Sequence, residues 1–254
     1  MKKYTIEDLK GFEKDENGRL LCPAGDYTEI KSFPDGCSFG EGGRFGDNCR
    51  FGEWCHFGEG GRFGDNCRFG KRCDFGAECG FEEGCGFGVG CNFSDWNSFG
   101  EDCRFGEECH FGAKCGFEDS GSFGAGCRFG AECRFGEYCR FGAECRFGEE
   151  CSFGKRCSFG ENCRFGAECR FEGGHIAAPG YPMLTFGGFG SANRTTYAFN
   201  CKNGIVIRCG CFSGSLEEFR EKVRERHGNT PFAFEYLSIA HLIERRFSRE
   251  GEVR

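Results

Sequence analysis

Phenylalanine recurs at every sixth position from Phe33 to Phe171 without a break, twenty-four times in all. No other feature constrains the fold so tightly. A helix of 3.6-residue turns cannot hold a six-residue spacing on one face, whereas a strand places residues two apart on the same side. Cys stands two positions before the Phe in nineteen repeats, and Gly follows it except at Pro34, Glu82, Ser94, Glu118 and Glu172. The unit Cys-x-Phe-Gly-x-x therefore reads as a short strand with Cys and Phe facing inward, then a corner. Gly suits that corner through permissive φ or through close backbone approach. Corners at equal intervals close a coil.

The period of that coil is read from larger repeats. Residues 39–52 recur letter for letter at 57–70, and Gly43 and Gly61, both standing where Cys is expected, are also 18 apart. Three hexapeptides per coil follow, although the segment 127–136 recurs at 139–148, an offset of 12 that suits a two-sided or four-sided coil. Eight three-sided coils rising by one strand spacing each would make a rod about 38 Å long.

The triplet Cys37, Phe39, Gly40 and its successors resemble the left-handed β-helix hexapeptide-repeat family, with Phe in place of the usual aliphatic residue. That resemblance implies a left-handed triangular prism. The expected fold class is thus mainly β: a left-handed triangular β-helix of about eight coils, a short N-terminal cap and a small α+β C-terminal module. The domain reading is 1–32 for the cap and a partial first coil, 33–171 for the solenoid, and 172–254 for the module. Leu21 and Tyr27 extend the register upstream, and Thr5 with Asp8 suggests a short capped helix that covers the rod end. Residues 181–212 read as an antiparallel sheet with a hairpin at Lys202-Asn203-Gly204. Ser215 to Glu218 is a capping box opening a helix to about His227, and Thr230-Pro231 starts a second helix. The apolar load of that helix exceeds one stripe, so part of it is assigned to pairing two chains as a homodimer. The module resembles the ends of uncharacterised solenoid proteins of phages and mobile elements of gut bacteria.

Chemistry is harder to find. The repeat cysteines occupy the inward small-residue position without CxxC clusters or His partners, so packing is favoured over metal or disulfides. Cys201, Cys209 and Cys211 lack an evident fourth ligand. Many left-handed β-helix proteins are acyltransferases, which rely on a His beside a projecting loop. Here His56 and His110 lie at outward positions three coils apart, and no hexapeptide carries an insertion. His175, His227 and His241 have no nucleophile arranged with them. The expectation is no enzyme, no cofactor and no metal. An ice-binding face is disfavoured, because Arg fills the outward position in eleven repeats.

Surface charge is what remains. On an 18-residue coil one corner reads Asp47, Asp65, Glu83, Glu101, Asp119, Glu137, and one face stacks Arg128, Arg146 and Arg164. Residues 33–171 carry a net charge of −8, and the chain −7, which disfavours nucleic acid as a direct partner. These residues, with the aromatics Trp54, Trp96 and Tyr138, form the candidate binding surface for another protein. The reading is a non-enzymatic binder, an inhibitor from a phage or mobile element that acts on a host DNA-acting or defence enzyme. In shape it is similar to the pentapeptide-repeat inhibitors of DNA gyrase. A hexapeptide acyltransferase and a rigid spacer presenting the C-terminal module are the alternatives. Without an apolar leader or span, the cytoplasm of a bacterial host is the expected location.

Overall fold

A computed structural model describes residues 1–171, 175–176, 183–191 and 194–250. It divides into two compact units, Met1–Glu172 and Gly173–Arg254. Residues 181 and 182, assigned above to the sheet, lie outside the described residues, as does the side chain of His175.

The first unit is a β-solenoid of about eight coils. Each hexapeptide contributes a two-residue strand such as Arg62–Phe63, and each strand pairs in parallel with the one 18 residues on: Phe63 with Phe81, and Phe81 with Phe99. Three sheets result, so the coil is three-sided and the 12-residue offset is local sequence similarity only. One face carries His56–Phe57 through Arg164–Phe165, the second Arg44–Phe45 through Arg170–Phe171, and the third Ser32–Phe33 through Ser158–Phe159.

Stacked rings fill the interior. Phe63 lies 4.7 Å from Phe81 and within 6° of parallel, while it meets Phe69 of the next face edge-on at 5.2 Å and 83°. The same pattern runs the length of the rod, for example 4.9 Å and 2° between Phe105 and Phe123. Both geometries suit the ring quadrupole. The thiols close the gaps between rings and corners. From Cys55 to Cys169, every repeat cysteine donates from Sγ to the carbonyl oxygen 21 residues earlier, as Cys73 does to Gly52 at 3.4 Å and Cys157 to Gly136 at 3.2 Å. A weak donor thereby satisfies a corner carbonyl one coil away. Where Asn97 replaces Cys it is 1% exposed; its Oδ1 accepts from the Cys79 amide at 2.9 Å and its Nδ2 donates to the Ser94 carbonyl at 2.6 Å.

The two roles offered for Gly separate cleanly. The Gly that follows most of the Phe residues serves close approach, since a Cβ on Gly148 would sit 2.6 Å from the Ala131 amide of the preceding coil, although Pro34, Glu82, Ser94 and Glu118 show that the position also admits a side chain. Positive φ falls two residues later, at Asn48 (60°), Trp54 (61°) and every equivalent corner residue. Non-Gly residues there carry a cost of about 1 kcal/mol each. From Gly36 to Glu150 each corner N–H at this position is bonded to the next coil, as Trp54 N is to Lys71 O at 3.0 Å.

At the N-terminal end Tyr27 is fully buried, stacked between Phe45 at 5.4 Å and Tyr4 at 5.0 Å, so that Tyr4 closes one ring column. The short helix α1 (Ile6–Lys10) is capped as expected: the Asp8 carboxylate accepts from Thr5 N at 2.7 Å. Leu21 departs from its expected place. Strand Leu20–Cys22 pairs Cys22, not Leu21, with Phe39, leaving Leu21 42% exposed. The offset there is 17 residues, and a one-residue slip turns the side chains to the opposite face.

The second unit holds a four-stranded antiparallel sheet in sequential order: β1 (Met183–Phe189), β2 (Arg194–Cys201), β3 (Gly204–Cys209) and β4 (Phe212–Ser215). The β2–β3 hairpin pairs Cys201 with Gly204. Ser215 caps α2 (Leu216–His227) reciprocally with Glu218, whose carboxylate accepts from Ser215 N at 2.7 Å. Helix α3 (Pro231–Glu250) packs Tyr236, Ile239, Ala240 and Ile243 against Phe219, Val223, Ala198 and Ile207. Arg220 ties α2 to Glu244 at 2.6 Å.

Cutting one ring column should expose how cooperative the rod is. Phe99, 1% exposed, is stacked on both neighbours of its column. Phe99→Ala is expected to lower stability by about 3–5 kcal/mol. Urea denaturation followed by circular dichroism measures it, with the exposed Trp96→Ala as the near-neutral reference.

Candidate interaction surfaces

The six acids stand on one edge of the prism, between the second and third faces. The N–H after each acid bonds to the carbonyl of the next acid in the column, as Asn48 N does to Asp65 O at 2.7 Å and Ser120 N to Glu137 O at 2.8 Å. At a rise of about 4.8 Å, unscreened neighbours repel by about 0.9 kcal/mol in water. Part of this charge serves the fold. Asp47 and Asp119 accept from the amides of Asp65 (3.1 Å) and Glu137 (2.7 Å), one coil on. Asp35 and Asp95 do the same on other edges, for Glu53 and Ala113. Lysines bracket the row: Lys31 donates to the Asp47 carbonyl at 2.9 Å, and Lys155 lies 3.9 Å from Glu137.

Arg128, Arg146 and Arg164 stand in register on the first face, which lies opposite that edge in the triangle. Their column continues through His110, Asn92, Asp74 and His56. Asp74 binds both its neighbours, His56 Nδ1 at 3.1 Å and Asn92 Nδ2 at 2.7 Å. Sequence reasoning passed over this polar ladder because each member occupies an ordinary outward position. An open groove of about 560 Å³ follows the face, lined by Trp54, Arg72, Asp74, His110, Arg128 and Arg146 among others.

The three aromatics do not share a surface. Trp54, Trp96 and Tyr138 are 42 residues apart, so each lies on a different edge, two and a third coils beyond the last. They are 48%, 57% and 45% exposed, and each carries a cation from the following coil: Arg72 at 4.8 Å, Lys114 at 4.7 Å and Arg156 at 5.6 Å from the ring centre. Such pairs are worth about 0.5–1 kcal/mol at exposed sites.

Burial pushes the Cys79 thiol up to about 11, which favours the neutral form. In the second unit burial does the same to Cys201, also to about 11. Among the described residues no group of three or more His, Cys, Asp and Glu side chains is placed to hold a metal.

The fold and these surfaces define a β-solenoid repeat protein joined to an α+β module. A family model described as an RNA-binding, Nab2-type zinc finger matches residues 44–58, 99–117, 122–136, 127–142, 139–154 and 156–171, well under half of the chain. No curated protein and no solved structure matches it. The resemblance to the hexapeptide-repeat family is thereby corrected: the solenoid stands, but the matching family is the zinc finger. The relation of the C-terminal module to phage proteins falls with it, and nothing in the comparisons points to a phage source or an inhibitor.

Zinc itself does not fit the residues present. A CCCH finger needs three cysteines and a histidine converging on one ion. Four of the six matched segments, from 122 onward, contain no histidine. Segment 99–117 has Cys103, Cys109, Cys115 and His110, yet the three cysteines belong to three different sides of the coil. Cys109 is fully buried while the adjacent His110 is exposed, as strand alternation requires. The match rests on spacing, and the spacing here serves a coil.

Two outcomes check this. Metal analysis of purified protein should find no stoichiometric zinc, and a chelator should leave the unfolding transition in place. A thiol reagent should modify the exposed Cys211 first and Cys209 next, reaching the 21 buried cysteines only on unfolding. A finger would instead lose its fold on chelation and release reactive thiols.

Proposed function

We propose that this chain is a non-enzymatic binding protein, with the solenoid as a rigid support for charge displayed along its length. The observation that carries this reading is the edge of six acids, about 24 Å long, whose spacing is set by the coil rise. Such an edge suits a protein partner with a basic groove, of the kind found on enzymes that handle nucleic acid, because complementary potentials steer encounter and fix register. A reducing cytoplasm agrees with an interior built from free thiols. Self-association through α3, where Phe234 is 75% and Leu242 55% exposed, belongs to the same reading; sedimentation of the full chain showing only monomer would remove it.

A second reading is favoured by a specific finding. The matching family is RNA-binding, and its last four segments contain Arg128, Arg146 and Arg164. The stacked guanidinium groups would meet phosphates on the face opposite the acids. That revises the expectation that nucleic acid is excluded.

One pair of variants separates the two. Under the first reading, a protein captured from bacterial lysate at about 50 mM salt is lost at about 500 mM. Glu83→Lys with Glu101→Lys then weakens capture by about tenfold, while Arg128→Glu with Arg146→Glu changes it little. Under the second, fluorescence anisotropy with a 20-nucleotide oligouridine RNA shows salt-sensitive binding of about −0.7 log units per phosphate contact, and the arginine reversals abolish it. Binding that ignores both reversals would remove charge as the basis of recognition.

A further inference from the structure

We propose that the C-terminal unit contains a binding site for a small hydrophobic carboxylate, independent of the solenoid surfaces. A cavity of about 100 Å³ opens where the sheet's hairpin ends meet the helices. Its apolar wall comes from Phe212 at the start of β4, Phe219 and Val223 on α2, and Tyr236 on α3, with Cys209 from the end of β3. Gly190 is what lets Tyr236 take its place: a Cβ there would fall 1.9 Å from the ring, and φ is +71°. The Gly190 amide is held by the Glu235 carboxylate at 2.8 Å, which keeps hairpin and helix together.

The mouth has one sign of charge. Lys222, Arg226 and His227 line it, and among the described residues none of the lining is acidic. Basic residues in a last helical turn are ordinary, because they complement the helix dipole. Dipole complementarity does not explain why Arg226 and His227, with Lys222 one turn earlier, gather around a cavity that has an apolar wall. Lys222 is engaged by Glu225 at 2.7 Å, whereas Arg226 has no ion pair among the described residues. The His227 ring lies 5.6 Å from that of Tyr236, at the boundary of wall and mouth.

Size and chemistry together select the occupant. A cavity of about 150 Å³ accommodates benzene, so this one takes a branched four- or five-carbon group whole, or a phenyl ring with its edge outside. An arginine fork binds a carboxylate through two parallel hydrogen bonds. The class is therefore a short branched or phenyl-bearing carboxylate, with its tail against Phe219 and Val223 and its head at Arg226.

The cavity supplies its own reporter. Cys209 is half-buried in the lining, its sulfur accepting from Thr196 Oγ1 at 3.2 Å, while Cys211 two residues on is exposed and serves as internal reference. The full chain is treated with iodoacetamide in the presence of 3-methylbutanoate or phenylacetate, or of their neutral amides, and alkylation of each cysteine is followed by peptide mass spectrometry. The carboxylates should slow Cys209 alkylation by about fivefold at a concentration where the amides have little effect, leaving Cys211 unchanged. Arg226→Gln, a change at an exposed position, should remove the difference between acid and amide while preserving the fold. Equal protection by amide and acid, protection that survives Arg226→Gln, or no protection of Cys209 at all would each overturn the proposal.

Discussion

Parallel stacking of aromatic rings at the spacing of hydrogen-bonded strands is the interaction on which this architecture depends. Neighbouring strands in a sheet lie about 4.8 Å apart, and ring centroids one coil apart lie 4.7 to 5.1 Å apart from Phe45 to Phe159. The two distances agree without strain, so each coil repeats the last. Other features follow from that rise. The corner after each Phe comes close to the corner below, so that a Cβ on Gly148 would be crowded by the Ala131 backbone. The third residue of the corner absorbs the left-handed turn instead, and its N–H is satisfied one coil on.

The thiols belong to the same geometry. A cysteine is small enough to leave the centre to the rings and polar enough to reach a corner carbonyl, a combination that neither alanine nor serine offers in an apolar interior. It also explains how a chain can match a zinc-finger family without the means to bind zinc as one. Cysteine at regular intervals is shared by both arrangements. In a finger the sulfurs converge on a point; here they are distributed along three lines parallel to the rod axis.

Much of this was legible because the repeat is long. The Phe spacing alone implied inward rings, the 18-residue identity between 39–52 and 57–70 implied three sides, and both the acid edge and the Arg128, Arg146, Arg164 stack followed by counting. Legibility ended where periodicity ended. Leu21 was misplaced because the entry to the first coil is one residue short, which no count from Phe33 reveals. The three aromatics were grouped by residue type, although their 42-residue spacing sends them to different edges. The cavity at Cys209, Phe219 and Tyr236 carried no signal at all, since it is assembled from a strand end and two helices by tertiary packing. The family resemblance failed for a related reason: a short motif states the local backbone path and says little about descent.

In-register stacking also makes the length of this molecule adjustable in whole steps. An added segment of 18 residues would enter as one more floor, leaving every column above and below continuous, whereas six or twelve would rotate all later faces by one or two thirds of a turn. The verbatim copy at 57–70 has the form expected of such an event. Selection can therefore lengthen or shorten a charged stripe by tandem duplication or loss, with the interior indifferent to the number of storeys.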